Sequence, residues 1–190
     1  MKQFKDEYAV CKQQVLNELS QTLDSVDLVA LERLSKDILS SNKVFVVGVG
    51  RVLLSLQAFA KRLSHLGIDA HCVGDICEPA ITEEDLLIVG SGSGMSVFPV
   101  AIAKVARKYN AKIVHIGSNP HGDVADFADY MVRIPVRTKL YLDDEIDSQQ
   151  PMTSLFEQSL YLVGDILAMM IIREQSLDLR ELWQYHANLE

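Results

Sequence analysis

Residues 85–96 read Asp85-Leu-Leu-Ile-Val-Gly-Ser91-Gly-Ser-Gly94-Met-Ser96, and the fold follows from how this stretch is read. The run 86–89 is apolar at every position, so it has no solvent face, which predicts a strand at 85–89 buried on both sides. Residues 96–109 then carry apolar side chains at helical spacing. Between strand and helix stand three serines and three glycines, so backbone N–H groups, hydroxyls and a helix N-terminus converge on one point. The same unit occurs upstream. Lys43-Val-Phe-Val-Val47 is a second buried strand, Gly48-Val49-Gly50-Arg51 a turn, and 51–66 a helix that Gly67 stops. Further strands are predicted at 69–73, 112–116 and 130–134. Strands alternating with helices require parallel crossovers, so the expected fold is α/β: a three-layer αβα sandwich around a five-stranded parallel sheet. Two amphipathic helices precede it, at 3–23 and from 28 to 38, the second capped at Asp24-Ser25.

The chain of 190 residues, 48% apolar, suits one domain. It divides into N-terminal helices (1–41), a sheet core (43–134) and C-terminal helices with a tail (152–190). A formal net charge of −8 repels nucleic acid and anionic lipid, so neither is an expected partner, and any anion must be held by a local site. Cys11, Cys72 and Cys77 form an odd set without paired spacing, and the N-terminus has no secretory apolar core, so a reducing, cytoplasmic location is expected. The longest apolar stretch, near 158–172, is interrupted by Asp165 and reads as too short and too polar to span a bilayer. The helix that contains it, 152–173, is apolar on nearly every side, which predicts a subunit interface. Residues 135–151 read as one long loop, a length that is often functional.

The glycine turn is not a dinucleotide fingerprint, because Leu53 stands where the third glycine belongs, and no Gly-Lys-Ser/Thr follows the serine loop to make a Walker site. The strand–loop–helix placement points to an anion site built from Ser91, Gly92, Ser93, Gly94 and Ser96 with Gly50 beside it, and Arg51 is either a ligand of substrate oxygens or phosphate or a surface charge or structural ion pair. A bland turn at 48–51 and a loop in which Ser96 merely caps a helix are the alternatives. His65, His71, His115 and His121 show no metal spacing, Cys72 and Cys77 have no second pair, and the acidic group Asp143, Asp144, Glu145, Asp147 lacks a calcium-loop pattern. No metal is expected; the histidines are assigned to packing or surface, the acidic group to a solvated loop, and Met169-Met170 to the core. Glu157 has two readings, a general base or the far end of a capping box begun by Ser154.

Ser-Gly-Ser-Gly-x-Ser after a buried strand, with Gly-x-Gly-Arg upstream, resembles the SIS (sugar isomerase) family. Gln150-Pro151-Met152-Thr153-Ser154-Leu155-Phe156-Glu157-Gln158, Arg62-Leu63-Ser64-His65-Leu66-Gly67, Val73-Gly74-Asp75 and the ending His186-Ala187-Asn188-Leu189-Glu190 are similar to the 6-phospho-3-hexuloisomerases. Val52-Leu53 stands where that group has Ser-Gly, and Glu78 precedes Pro79 where it has threonine, directing negative charge towards the anion pocket. The resemblance implies a sugar-phosphate isomerase that interconverts 3-hexulose 6-phosphate and fructose 6-phosphate through an enediol. It further implies phosphate on the serine loop, Glu157 as the base, His186 serving the oxygens from a neighbouring subunit, and a homotetramer. No cofactor is called for, since the electrons stay within the substrate. A non-catalytic sugar-phosphate-binding protein and an isomerase of another phosphosugar are the rival readings.

Overall fold

The computed structural model describes residues 1–189; Glu190, the end of the tail motif, lies outside the described residues. Helix α1 spans Lys2–Asp24 and α2 Leu28–Ser40; they are followed by β1 (Val44–Val47), α3 (Gly50–Ser64), β2 (Ala70–Cys72), β3 (Leu86–Gly90), α4 (Val97–Arg107), β4 (Lys112–Gly117), β5 (Tyr130–Arg133) and α5 (Ser154–Glu174). The strands form one parallel sheet in the order β2-β1-β3-β4-β5. Side chains alternate between two cores. Val44, Val46, Leu86 and Ile88 meet α2, α3 and α5, whereas Phe45, Val47, Leu87 and Val89 face α4. Both faces of β1 and β3 are therefore dry, as their unbroken apolar runs demand.

The cap of α2 differs from expectation. Asp24 and Ser25 end α1, with the Ser25 hydroxyl donating to the Thr22 carbonyl at 2.6 Å. Asp27 is the cap, because its extended backbone lets the carboxylate accept from Val29 N at 2.9 Å and Ala30 N at 3.2 Å. At the other end of α3, Gly67 takes φ +81°, and Ile68 N donates to Leu63 O at 3.1 Å, closing the helix as its glycine predicts.

Helix α5 packs closely on α3, where a Cβ on Gly164 would stand 2.9 Å from the Phe59 ring. By length and composition α5 could cross a bilayer, so the expectation that its apolar stretch is too short does not hold; 56% of its most apolar window is instead buried within this fold. Met169 and Met170, assigned to the core, are 53% and 44% exposed. Met169 lies on the side of α5 opposite its buried line Leu160, Val163, Leu167 and Ile171, Met170 flanks that line, and Tyr161 and Ile166 are also exposed.

Candidate functional site

The strand order reverses direction at β1, so the turn after β1 and the loop after β3 lie side by side at the carboxyl ends of neighbouring strands. The serine loop is oriented by its carbonyls. Ser91 O accepts from Gly94 N at 3.1 Å, Gly92 O from Ser118 N at 2.9 Å and Asn119 N at 3.0 Å, and Gly94 O from Val124 N at 3.0 Å. The Asn119 side chain donates to Ser93 O at 3.0 Å. Because N–H lies opposite C=O across a trans peptide, the N–H groups of Gly92 and Ser93 point the other way, into a cleft of about 560 Å³. Ser91 Oγ donates to Ser96 Oγ at 3.2 Å, and Ser93 Oγ accepts from Met95 N at 3.3 Å. Ser96 is the N-cap of α4 without a side-chain cap bond, so the first N–H groups of α4 stay available to an anion.

His115 is no mere filler beneath this loop. Its Nε2 lies 2.8 Å from Ser91 O, and since a carbonyl only accepts, Nε2 carries the proton. Burial holds its pKa below the usual histidine value, partly opposed by that hydrogen bond, so it stays a neutral donor. Gly117 and Gly122 make room for the arrangement: a Cβ on Gly117 would sit 2.3 Å from His115 Nε2, and one on Gly122 2.6 Å from Gly94 Cα.

The opposite wall begins at α5. Thr153, not Ser154, is its N-cap, and the Ser154 hydroxyl turns back to Pro151 O at 2.8 Å, so the capping box does not form. Glu157, 7% exposed, is instead held by side chains. Oε1 accepts from Thr153 Oγ1 at 2.8 Å, and Oε2 accepts from Arg51 Nε, which starts α3 next to Gly50 at φ +57°. Ser55 Oγ donates to Glu157 O at 2.8 Å and pins the two helices together. Met152, at φ +57°, turns the chain into α5 and lines the cleft with Thr153 and Phe156. The segment before it is anchored to α1. Glu18 accepts from Ser148 Oγ at 2.7 Å, Gln149 N at 3.0 Å and Gln150 Nε2 at 3.0 Å. Burial pushes the Glu18 pKa up, but these hydrogen bonds outweigh it and leave the group below the usual carboxylate range.

Gly50, Arg51, Ser91, Gly92, Ser93, Ser96 and Glu157 thus surround one cleft, with Gly94 at φ +68° shaping the loop from behind. His186 does not join them within the chain. Its ring stacks on His65 at 5.1 Å, beyond the far end of α3. Since that helix rises 1.5 Å per residue over 15 residues, Arg51 is roughly 20 Å away. Glu78 is not directed at the anion pocket either: it accepts from Gly74 N at 2.5 Å and borders a separate groove between α4 and the segment that follows β2. Val52 does line the cleft. Among the described residues no group of three or more metal-ligating side chains comes together. Sequence reasoning missed Arg137, Thr138, Lys139 and Tyr141, which lie over the cleft from the segment after β5. The signal was present, a long loop carrying two cations, but its place above the serine loop depends on where β5 ends.

A SIS domain model matches residues 37–169. The chain is 35% identical over 177 residues to a 3-hexulose-6-phosphate isomerase of Bacillus subtilis, covering 93% of this chain and 96% of that protein. It is 38% identical over 176 residues to the protein of the same name from Mycobacterium gastri, covering 93% and 88%. A crystal structure from Methanococcus jannaschii, for which a molecular function of 3-hexulose-6-phosphate isomerase is inferred, superposes with a TM-score of 0.81 at 31% identity, covering 94% of this chain and 98% of that one.

Proposed function

The chain belongs to the SIS domain family, and we infer from that membership that it is a sugar-phosphate isomerase interconverting 3-hexulose 6-phosphate and fructose 6-phosphate. The observation that supports the chemistry is the juxtaposition of outward-turned N–H groups on the serine loop with the Glu157 carboxylate in one cleft. The loop and the α4 N-terminus hold the phosphate. Glu157 takes the proton from C2 of the open-chain 3-ketose, leaving an enediol over C2 and C3, and returns it to C3. The hydroxyl proton passes from O2 to O3, and no electrons leave the sugar. Arg51 holds the carboxylate towards the substrate. His186 serves the oxygens of a neighbouring subunit's substrate, since its own cleft is out of reach.

That role requires a homo-oligomer, and we propose a tetramer. The outward Tyr161, Ile166, Met169 and Met170 of α5 supply apolar surface for it. Cys11, Cys72 and Cys77 are free thiols, in keeping with a cytoplasmic location. The test is an NMR assay of purified protein with candidate phosphosugars. Fructose 6-phosphate should be converted to the 3-ketose and exchange solvent hydrogen at C3. Binding without conversion of any hexulose phosphate would favour a sugar-phosphate-binding protein instead.

A further inference from the structure

The strap at 136–147 borders the cleft beside the serine loop, where a Cβ on Gly92 would stand 3.3 Å from Thr138 Cγ2, and the chemistry above gives it no task. Its shape is organised by Glu145. One oxygen of that carboxylate accepts from Thr138 Oγ1 at 3.0 Å and from Ser118 Oγ at 2.9 Å, the latter just beyond β4. The other accepts from Thr138 N and Leu142 N, both at 3.0 Å. Backbone bonds from Arg137 N to Ile146 O at 2.9 Å and from Ile146 N to Pro135 O at 2.7 Å close its neck. Within the acidic group Glu145 alone is an internal lock; Asp143, Asp144 and Asp147 are solvent-exposed as expected, with Asp144 and Asp147 pairing Arg133 and Arg137 at 2.7 and 2.5 Å.

Three cations line the cleft: Arg51, Arg137 and Lys139. Arg51 is paired with Glu157 and Arg137 with Asp147. Among the described residues Lys139 has no carboxylate partner, and it is exposed to the cleft's solvent. In a chain of net charge −8, an uncommitted ammonium beside an anion loop is a local reversal of the field. A compact, rotatable charge on a flexible stem suits a phosphate dianion that the neighbouring loop N–H groups also hold.

We propose that Lys139 is a phosphate ligand of this cleft, presented beside the serine loop by a strap that Glu145 locks. The proposal rests on the sugar-phosphate reading and adds to it a binding residue and a positioning residue.

Calorimetric titration with inorganic phosphate and with glucitol 6-phosphate, which has no carbonyl to isomerise, tests it at low salt. Lys139→Met should weaken both about tenfold or more, as should Ser93→Ala, with an unchanged melting temperature. Wild-type affinity in Lys139→Met alongside weakened Ser93→Ala would overturn the proposal and leave the isomerase reading standing. A wild type that binds neither probe would overturn both. In turnover assays Lys139→Met should raise KM and leave kcat within about threefold. Glu145→Gln keeps the size but halves the accepting capacity, so it should raise KM in the same sense. If it acts through Lys139, the double variant should be no weaker than Lys139→Met alone. Additive losses would reduce Glu145 to a structural residue.

Discussion

Arg51 and Glu157, 106 positions apart, form an ion pair at the mouth of the cleft, and Thr153 donates to the carboxylate's second oxygen. The arginine side chain is 64% exposed and the glutamate side chain 9%, so a solvent-facing cation pairs with an enclosed carboxylate.

Glu157→Gln keeps size and can still receive the Thr153 hydroxyl, but it cannot take a carbon-bound proton. Turnover should fall by about 10²–10⁴-fold, with phosphosugar affinity little changed. Stability should change by less than about 1 kcal/mol, because the lost ion pair is largely solvent-exposed on the arginine side. Near-normal turnover in Glu157→Gln, measured beside its melting temperature, would remove the base assignment.

Arg51→Met leaves Glu157 with Thr153 as its side-chain donor. We expect kcat/KM to drop more than about tenfold, and Arg51→Lys to restore only part, since an ammonium lacks the planar fork. Unchanged kcat/KM in Arg51→Met would show that the pair serves packing alone.

Gly117→Ala tests the packing under the serine loop. The new Cβ would lie 2.3 Å from His115 Nε2 and 2.4 Å from Ser91 O, and the second contact is backbone that cannot swing aside. A loss of about 1–3 kcal/mol is expected, together with weaker phosphate binding as the loop shifts. Thermal melts and phosphate titration read the two effects; a melt like wild type would contradict the contact.

The buried His115 makes stability depend on pH. Its folded pKa lies below the ordinary value, so the unfolded chain takes up the proton first as pH falls. The contribution of neutral His115 is therefore fully present above about pH 6.5 and lost as pH falls through the lower folded value. The melting temperature should decline from pH 7.5 to 5.5. His115→Gln, which keeps a donor for Ser91 O, should flatten that decline; an unaltered slope would assign it to other groups.

An apolar run without a polar face can only be a strand covered twice, which is why β1 and β3 were readable from Val44–Val47 and Leu86–Gly90 without coordinates. Alternation with helices then left a parallel sheet, and the serines between β3 and α4 marked the loop that lines the cleft. The cap of α2 lies two residues beyond the expected Asp24-Ser25 pair because Asp24, Ser25 and Asp27 are all competent caps. Only backbone direction selects among them. Met169 and Met170 were sent to the core because hydropathy reports affinity for burial and not which side of a helix has a neighbour.

By itself the sequence determined the elements, their order, the αβα layering and the serine loop, since these follow from local periodicity and from glycine and capping chemistry. The tertiary structure alone decided that Arg51 meets Glu157, that His115 steadies Ser91 O, that the strap brings Lys139 over the cleft, and that His186 ends at the far end of α3. These are contacts between segments far apart in the chain. They are fixed by the β2-β1-β3-β4-β5 strand order and by helix packing, which bring together side chains whose local sequence carries no trace of the partner.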